Sequence, residues 1–588
     1  MLKKFKDTFG KASHIFREYP MVLLLAFFGA LSFILTSDRH PQSNDFIFLK
    51  LGLVSCLGIS LLYSLKMLSQ RIGKSILLET SGTAFLVLFY FLLPAQEKDF
   101  TEQYAFLLIP TFILSHLLVS FIAFLGVKRE MYFWQFNKNL FINIFLTAIF
   151  TGVLVGGVEL AILAIDQLFD FNFDGEYYRK TFILLAIFGS CFIFLLFNEK
   201  GLQDLEKDGS YPLILKFFTQ YILIPLLFIY VVILYFYAGK ILINWELPRG
   251  WVSYLVLAYS VVGILGLLLV HPLKDASTKS WVQMFSKIFY YTLIPLIALL
   301  FTAIFTRVLA YGYTEPRYFV LLLAAWLSTI VLYFAFSRRT TIKFVPVSLF
   351  VFGLFSLIFP YLNTFSVAIR SQKKELKEVL VQNNLLENGN INFDKKVSDT
   401  VVDELSDKFK YLAERKQGDF LKHFLKKEDE KIIVKNLEKA DFWKISNEIR
   451  SRFTKIENTK SSFGKRLELI SKAKFQNIEN YDYYISVDLL RQEELVFNND
   501  KFEIIAPNNT KNLLVFAINK EQWNITPFLE KTIAAHKEES GIIPVSEITA
   551  EKDLGAYHVK IVFNNLIREN VQDSVFYYNT PILLIKKK

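Results

Sequence analysis

Cysteine is almost missing from this chain. There are two, Cys56 and Cys191, both inside apolar runs, and none in the last third. That excludes a disulfide framework and a paired-cysteine metal site, and both thiols read as packing residues. The sequence has no Gly-x-x-x-x-Gly-Lys-Ser/Thr loop, no His-Glu-x-x-His and no Gly-x-Ser-x-Gly. Each of these would place a phosphate cradle, a zinc pair or a nucleophile, so their absence argues against a nucleotide-driven pump or a familiar hydrolase within the chain. No cofactor and no metal is expected.

Charge is scarce in the first 369 residues, which hold 29 Lys/Arg and 21 Asp/Glu, and dense in residues 370–588, which hold 37 and 34. This break marks two solvents, lipid and then water. The net charge of +11 falls mostly in the first part, at the ends of apolar runs. It therefore orients the chain in a membrane and is no nucleic-acid footprint.

What is abundant is apolar sequence, 53% of the chain with 60 phenylalanines. Residues 1–19 form a basic amphipathic segment, with Leu2, Phe5, Phe9 and Phe16 facing lipid and five basic residues facing headgroups. Runs long enough to span follow near 20–36, 46–65, 76–94, 104–127, 140–168, 181–198, 217–240, 251–270, 288–306, 319–336 and 344–364. The expected fold is an α-helical polytopic membrane protein with about 11 transmembrane helices in residues 20–369. A C-terminal extracytoplasmic α+β domain follows it. A cytoplasmic N-terminus gives inside segments with 20 Lys/Arg and outside loops with 8, in line with the positive-inside rule. An odd number of crossings then puts residues 370–588 outside the cytoplasm. Residues 370–475 read as a helical neck, with Asn388-Gly389-Asn390 as a turn. Residues 476–588 read as mostly β, with strands at 481–489, 502–506, 513–518, 557–563 and 574–585. A helix is expected at 526–539, and Asn508-Asn509-Thr510-Lys511-Asn512 is a turn cluster.

Two hairpins share features 70 residues apart. Tyr221-Ile222-Leu223-Ile224-Pro225 recurs in spirit as Tyr291-Thr292-Leu293-Ile294-Pro295, and Glu246-Leu247-Pro248-Arg249-Gly250-Trp251 as Glu315-Pro316-Arg317-Tyr318. Spans seven to ten read as a parallel repeat or as coincidence in low-complexity apolar sequence.

Polar groups within spans are costly and tend to mark function. His116 follows Pro110 in span four. Glu159 follows Gly156-Gly157, which permits close helix approach, and Asp166 lies two turns further on. They read as a proton or ion path, or as a His116–Glu159 hydrogen bond locking two helices with Asp166 at the interface. A second cluster is the polar turn holding Arg307, Tyr311, Gly312, Thr314, Glu315, Arg317 and Tyr318 between two apolar runs. Gly312 between tyrosines suggests a tight turn and Pro316 stiffens the next helix. The arginines read as a site for an anionic ligand or headgroup, or as a latch paired with acidic groups of the outer loops or the soluble part. A third cluster, Lys128–Lys138, has aromatic and basic residues suited to an interfacial anchor.

Phe133-Trp134-x-Phe136-Asn137-Lys138, Leu223-Ile224-Pro225-Leu226 with Tyr230 and Tyr235, Pro248-x-Gly250-Trp251 and Tyr311-Gly312-x-Thr314-Glu315-x-Arg317-Tyr318 resemble the bacterial membrane family called domain of unknown function 4153. Ser371-Gln372 and Leu386-Glu387-Asn388-Gly389 are similar to the stretch after that family's last span. The resemblance implies a polytopic bacterial plasma-membrane protein and carries no catalytic residue with it. Three functions stay open. One is a membrane-anchored scaffold or sensor whose periplasmic domain binds an envelope partner. Another is a proton- or ion-coupled transporter using His116 and Glu159. The third is an enzyme acting on a lipid-linked substrate at the outer face.

Overall fold

A chain in lipid must satisfy its own backbone polar groups, and an apolar run does so as a helix. In the computed structural model each of the eleven apolar runs is helical. The structure describes residues 2–36, 45–127, 129–171, 173–207, 211–244, 251–273, 280–337, 340–426, 442–453, 455–457, 467–472, 477–487, 495–497, 500–505, 514–536, 541–568, 576–577 and 581–588.

The helices are α1 (Leu2–Glu18), α2 (Pro20–Thr36), α3 (Asp45–Ile72), α4 (Ser75–Leu92), α5 (Gln103–Phe121) and α6 (Glu130–Phe169). Next come α7 (Gly175–Leu184), α8 (Ser190–Phe197), α9 (Leu202–Leu205), α10 (Leu213–Phe217), α11 (Ile224–Asn244) and α12 (Trp251–Val270). After these lie α13 (Ser280–Tyr311), α14 (Glu315–Phe336), α15 (Phe344–Ile358), α16 (Thr364–Gln382), α17 (Asp399–Glu414) and α18 (Gly418–Lys422). Wide π turns join α7 to α8 and α10 to α11.

Among the described residues, nine helices are long and apolar enough to cross a membrane. A tenth is reached if α1 and α2, which meet at 92°, count as one bent span. α15 has only 15 residues, or about 22 Å at 1.5 Å per residue, against a hydrocarbon core of about 30 Å. The chain thus reads as a multi-pass membrane protein with a β-rich C-terminal region.

Two apolar cores build the membrane part. One is centred on α2, α3, α5, α6 and α8, and includes Tyr19, Leu57, Met67, Phe124 and Phe136. The other is centred on α11 to α14, and includes Ile224, Val256, Phe289, Leu300 and Leu327. Trp134 bridges them: its ring nitrogen donates to the Leu268 carbonyl at 2.8 Å and its ring stacks on Tyr211. Of the two prolines in the suspected repeat, Pro225 follows a π turn, whereas Pro295 lies inside the unbroken α13. The partner loop 246–250 lies outside the described residues.

The chain divides into two compact units, Met1–Glu457 and Asn458–Lys588. The neck therefore packs as part of the first unit, around Leu376, Leu380, Val402, Phe409 and Ile445. It is not purely helical. Leu386–Glu387 pairs antiparallel with Asn390–Ile391 across Asn388-Gly389, both at positive φ (51° and 84°), as a two-residue hairpin requires. Val397–Ser398 pairs with Ile456–Glu457, and Leu467–Ser471, within the stretch expected to be helical, is a strand of the second unit.

The second unit has three small sheets around Phe502, Phe516, Val559, Phe563 and Leu583. Strands at 483–486, 500–505, 515–518, 557–562 and 582–587 and the helix Thr526–Ala535 fall where period-two and helical patterns place them. Strands at 495–497, 521–524, 541–543, 549–554 and 565–568 are additional. The turn cluster 508–512 lies outside the described residues.

Candidate functional site

A helix leaves its last carbonyls without partners, and those ending α13 build the site. Gly312 follows Tyr311 at φ +72°, a left-handed conformation that favours glycine. A Cβ there would lie 2.6 Å from Glu375 Cγ and 2.8 Å from Ser371 Oγ, so α16 packs directly against the turn. Arg317 Nη1 donates to the carbonyls of Tyr311 (3.1 Å) and Gly312 (2.7 Å), and Gln372 Nε2 donates to those of Tyr311 (3.0 Å) and Tyr313 (2.9 Å). The Tyr313 amide donates to Ser371 Oγ at 2.8 Å, and the Tyr318 hydroxyl to the Leu362 carbonyl. Thr314 is extended (φ −129°, ψ 167°) and precedes α14, where Pro316 occupies the first turn.

Arg307 and Arg317 were the expected ion-pairing residues. That expectation is corrected: neither makes an ion pair among the described residues. Arg317 instead caps α13 by donating to its orphan carbonyls. Arg307 is half-buried, four residues before the end of α13.

The charge that does pair is Glu315, which is fully buried. Its carboxylate receives Arg415 Nε on one oxygen at 2.6 Å and Arg415 Nη2 on the other at 2.9 Å, a bidentate fork. The Tyr411 hydroxyl adds a third hydrogen bond at 2.8 Å. The guanidinium also stacks on the Tyr411 ring at 3.4 Å, and Nη1 donates to the Tyr411 carbonyl at 3.1 Å. Both side chains of the pair are 1–2% exposed. Glu315 also sits in the first turn of α14, where the helix dipole favours a negative charge.

Burial pushes the Tyr411 phenol far above its usual value, and the adjacent Arg415 only partly offsets this. Burial opposes the charge on Arg415, but the hydrogen bond to Glu315 and the surrounding Tyr411, Glu315 and Glu414 outweigh it and raise its pKa. The phenol stays protonated and the guanidinium charged. The arrangement holds α14 and α17 together.

Tyr411 and Arg415 were not singled out from sequence. The available signal is positional: Leu405, Phe409 and Leu412 form the buried stripe of α17, and Arg415 continues it three residues on. An arginine on an apolar stripe calls for a buried partner.

The intramembrane candidates are not brought together. His116 Nδ1 bonds the Phe112 carbonyl at 2.8 Å. It lines a cavity of about 490 Å³ with Ser60, Tyr63, Thr147 and Cys191. No hydrogen bond joins it to Glu159, so the expected helix lock is absent. Neither carboxylate oxygen of Glu159 has a hydrogen-bond partner. The positions a Cβ would take at Gly156 and Gly157 meet nothing within 4 Å, so these glycines make no close helix contact. Asp166 accepts from the Phe173 amide at 2.7 Å and closes the turn after α6. Among the described residues no group of His, Cys, Asp and Glu is placed to hold a metal ion.

A family model described as "Domain of unknown function (DUF4153)" matches residues 22–388. Its span takes in the turn 307–318 and the α16 residues that seat it, and ends before Tyr411 and Arg415. Among curated proteins, "Uncharacterized protein PM1469" of Pasteurella multocida (strain Pm70) is 23% identical over 420 residues, 69% of this chain and 67% of that protein. No solved structure matches. With well over half of its length matched by the family model, the chain belongs to the DUF4153 family.

Proposed function

We propose that the protein is a scaffold or sensor of the bacterial inner membrane, with its N-terminus in the cytoplasm. Residues 370–588 stand in the periplasm and bind an envelope protein partner. The observation that carries this reading is the Glu315–Arg415–Tyr411 clamp. A tail on a flexible tether needs no buried ion pair, whose desolvation is expensive. A built neck that leads to a binding module is held to the membrane part, and within the first unit the clamp ties α17 of the neck to the α13–α14 turn. The 20-to-8 distribution of Lys/Arg supports the orientation. In this topology α15, lengthened by residues 359–363, makes the eleventh crossing.

Two experiments test it. In a variant with Cys56 and Cys191 replaced by serine, K552C should react with a membrane-impermeant maleimide in intact spheroplasts. Protection until lysis would refute the orientation. A photo-crosslinking residue at Ile470 or Ile542, exposed cross-strand neighbours, should capture an envelope protein in cells. Capture of nothing from either position would refute partner binding by this face.

Ion-coupled transport is the second reading, favoured by one observation: the two partnerless oxygens of Glu159. If H116A and E159Q both fully restore a deletion strain, the ion path is refuted.

A further inference from the structure

Lys138 is 6% exposed and lies eight residues, or about 12 Å, along α6 from Glu130. Its ammonium donates to Gln135 Oε1 at 2.7 Å and lies 5.4 Å from the centre of the Trp134 ring. These are a neutral acceptor and an aromatic face, and among the described residues they leave two of its three protons without an acceptor. No acidic side chain of the described residues pairs with it.

Lys138 lines a cavity of about 340 Å³ between the two apolar cores. Trp134 and Phe141 of α6, Leu265 and Leu268 of α12, and Pro346 of α15 form much of its wall. The neutral side-chain donors along it are already engaged. The Trp134 ring nitrogen donates to Leu268, Asn137 Nδ2 to the carbonyls of Ser120 and Phe133, and Ser120 Oγ to Leu117. Glu130, the nearest acid along the helix, is engaged by the Ile342 amide and lies 3.8 Å from His271. The cavity therefore presents one buried cation in an otherwise apolar enclosure.

An uncompensated buried ammonium is costly, and an anion at the same place removes the cost. The apolar wall selects what the anion is attached to. We infer that this cavity binds an acid group carried on an apolar chain, either an anionic phospholipid or a fatty acid, with Lys138 as its counter-charge. Lys50 is equally buried, but it meets the Leu93 carbonyl at 3.4 Å and the Tyr90 ring at 4.2 Å, and it lines none of the described cavities. The same chemistry is thus not proposed there. The inference does not depend on which way the chain is oriented.

The test is native mass spectrometry of the full-length protein released from nanodiscs of phosphatidylcholine, of phosphatidylcholine with phosphatidylglycerol, and of phosphatidylcholine with oleate. The wild type should retain one acidic molecule, and the added mass tells phospholipid from fatty acid. K138M, which keeps the stem and removes the charge, should retain it roughly ten- to a hundred-fold less, as expected for loss of one charged hydrogen bond. K138R should retain it. Thermal unfolding of K138M in phosphatidylcholine alone verifies that the variant is folded, and its midpoint should be insensitive to phosphatidylglycerol and oleate, unlike the wild type's. Equal retention by K138M and wild type, or no acidic molecule on the wild type in any of the three bilayers, overturns the inference.

Discussion

Glu315→Gln removes the negative half of the clamp while leaving its shape. The amide keeps one acceptor oxygen, so at most two of the three hydrogen bonds, those to Oε2, can survive. The NH₂ now faces a donor, either the guanidinium or the Tyr411 hydroxyl. Arg415 is left charged and about 96% buried, with only Glu414, 3.4 Å from its Nη1, as a counter-ion. Breaking a buried pair in this way costs about 3–5 kcal/mol. Exchanging Arg415 for Met should cost a similar amount, because it strands the carboxylate. Replacing both, Glu315→Leu with Arg415→Met, leaves an apolar contact of comparable volume and should cost much less than the two single changes summed.

Arg450 provides an internal control. It also joins two carboxylates, Asp399 and Asp403, but is 41% exposed, so Arg450→Met should cost only about 0.2–1 kcal/mol. The assay is hydrogen–deuterium exchange of the full-length protein in nanodiscs. Where local opening governs exchange, 3–5 kcal/mol corresponds to roughly 100- to 3,000-fold faster exchange in α16 and α17. The strands at 549–562 in the second unit should not change. If E315Q and R415M both leave α16 and α17 within about threefold of wild type, the pair does not hold the neck, whatever its geometry.

Gly312→Ala puts a methyl 2.6 Å from Glu375 Cγ at φ +72°, and should lower the stability of the first unit by about 1–3 kcal/mol in thermal unfolding. Gly156→Ala meets nothing within 4 Å in the middle of α6 and should be neutral or stabilising by about 0.5–1 kcal/mol in the same assay. Phe409→Ala empties the centre of the neck core and should cost about 3–5 kcal/mol, read as protease cleavage within 364–457. In the second unit, hydrogen bonds from Tyr557 and Asn519 hold the Asp500 carboxyl below the usual carboxylate range. A depressed folded pKa gives stability that is present above the unfolded value, about 3.9, and is lost as pH falls through the folded one. Tyr557→Phe should thus be less stable than wild type at pH 7, with the difference vanishing toward pH 2, measured as resistance of strands 500–505 and 557–562 to pulse proteolysis.

The legible parts of this fold are those settled over a few residues or by the solvent. Apolar runs become helices because lipid offers the backbone no alternative partner. Asn388-Gly389 becomes a two-residue hairpin because both residues tolerate positive φ. The strands that escaped are instructive. Glu521–Asn524 and Thr549–Leu554 are edge strands of their sheets, and Glu521, Glu551, Lys552 and Asp553 keep those edges wet. Charge on an edge protects it from other chains and blurs the alternation by which a strand is recognised.

The clamp was half legible, and the reason lies in how its two ends differ. Glu315 stood out because it interrupts apolar sequence, where a lone carboxylate is conspicuous. Arg415 sits among Lys408, Lys410 and Lys416, where one more cation carries no signal. Only closure of the fold separates it from its neighbours, since α17 must roll its Leu405–Phe409–Leu412 stripe inward and takes Arg415 along. The buried arginine then donates to the fully buried carboxylate of Glu315, a hundred residues away in sequence. Arg317 went elsewhere by the same logic in reverse, held beside the unpaired carbonyls of Tyr311 and Gly312. Which cation meets Glu315 is thus decided by which helix face is apolar. A single change that leaves the stripe intact but moves the cation should therefore fail: in R415M, Lys416→Arg should not restore protection of α16 and α17, because Lys416 turns away from the core at φ +58°.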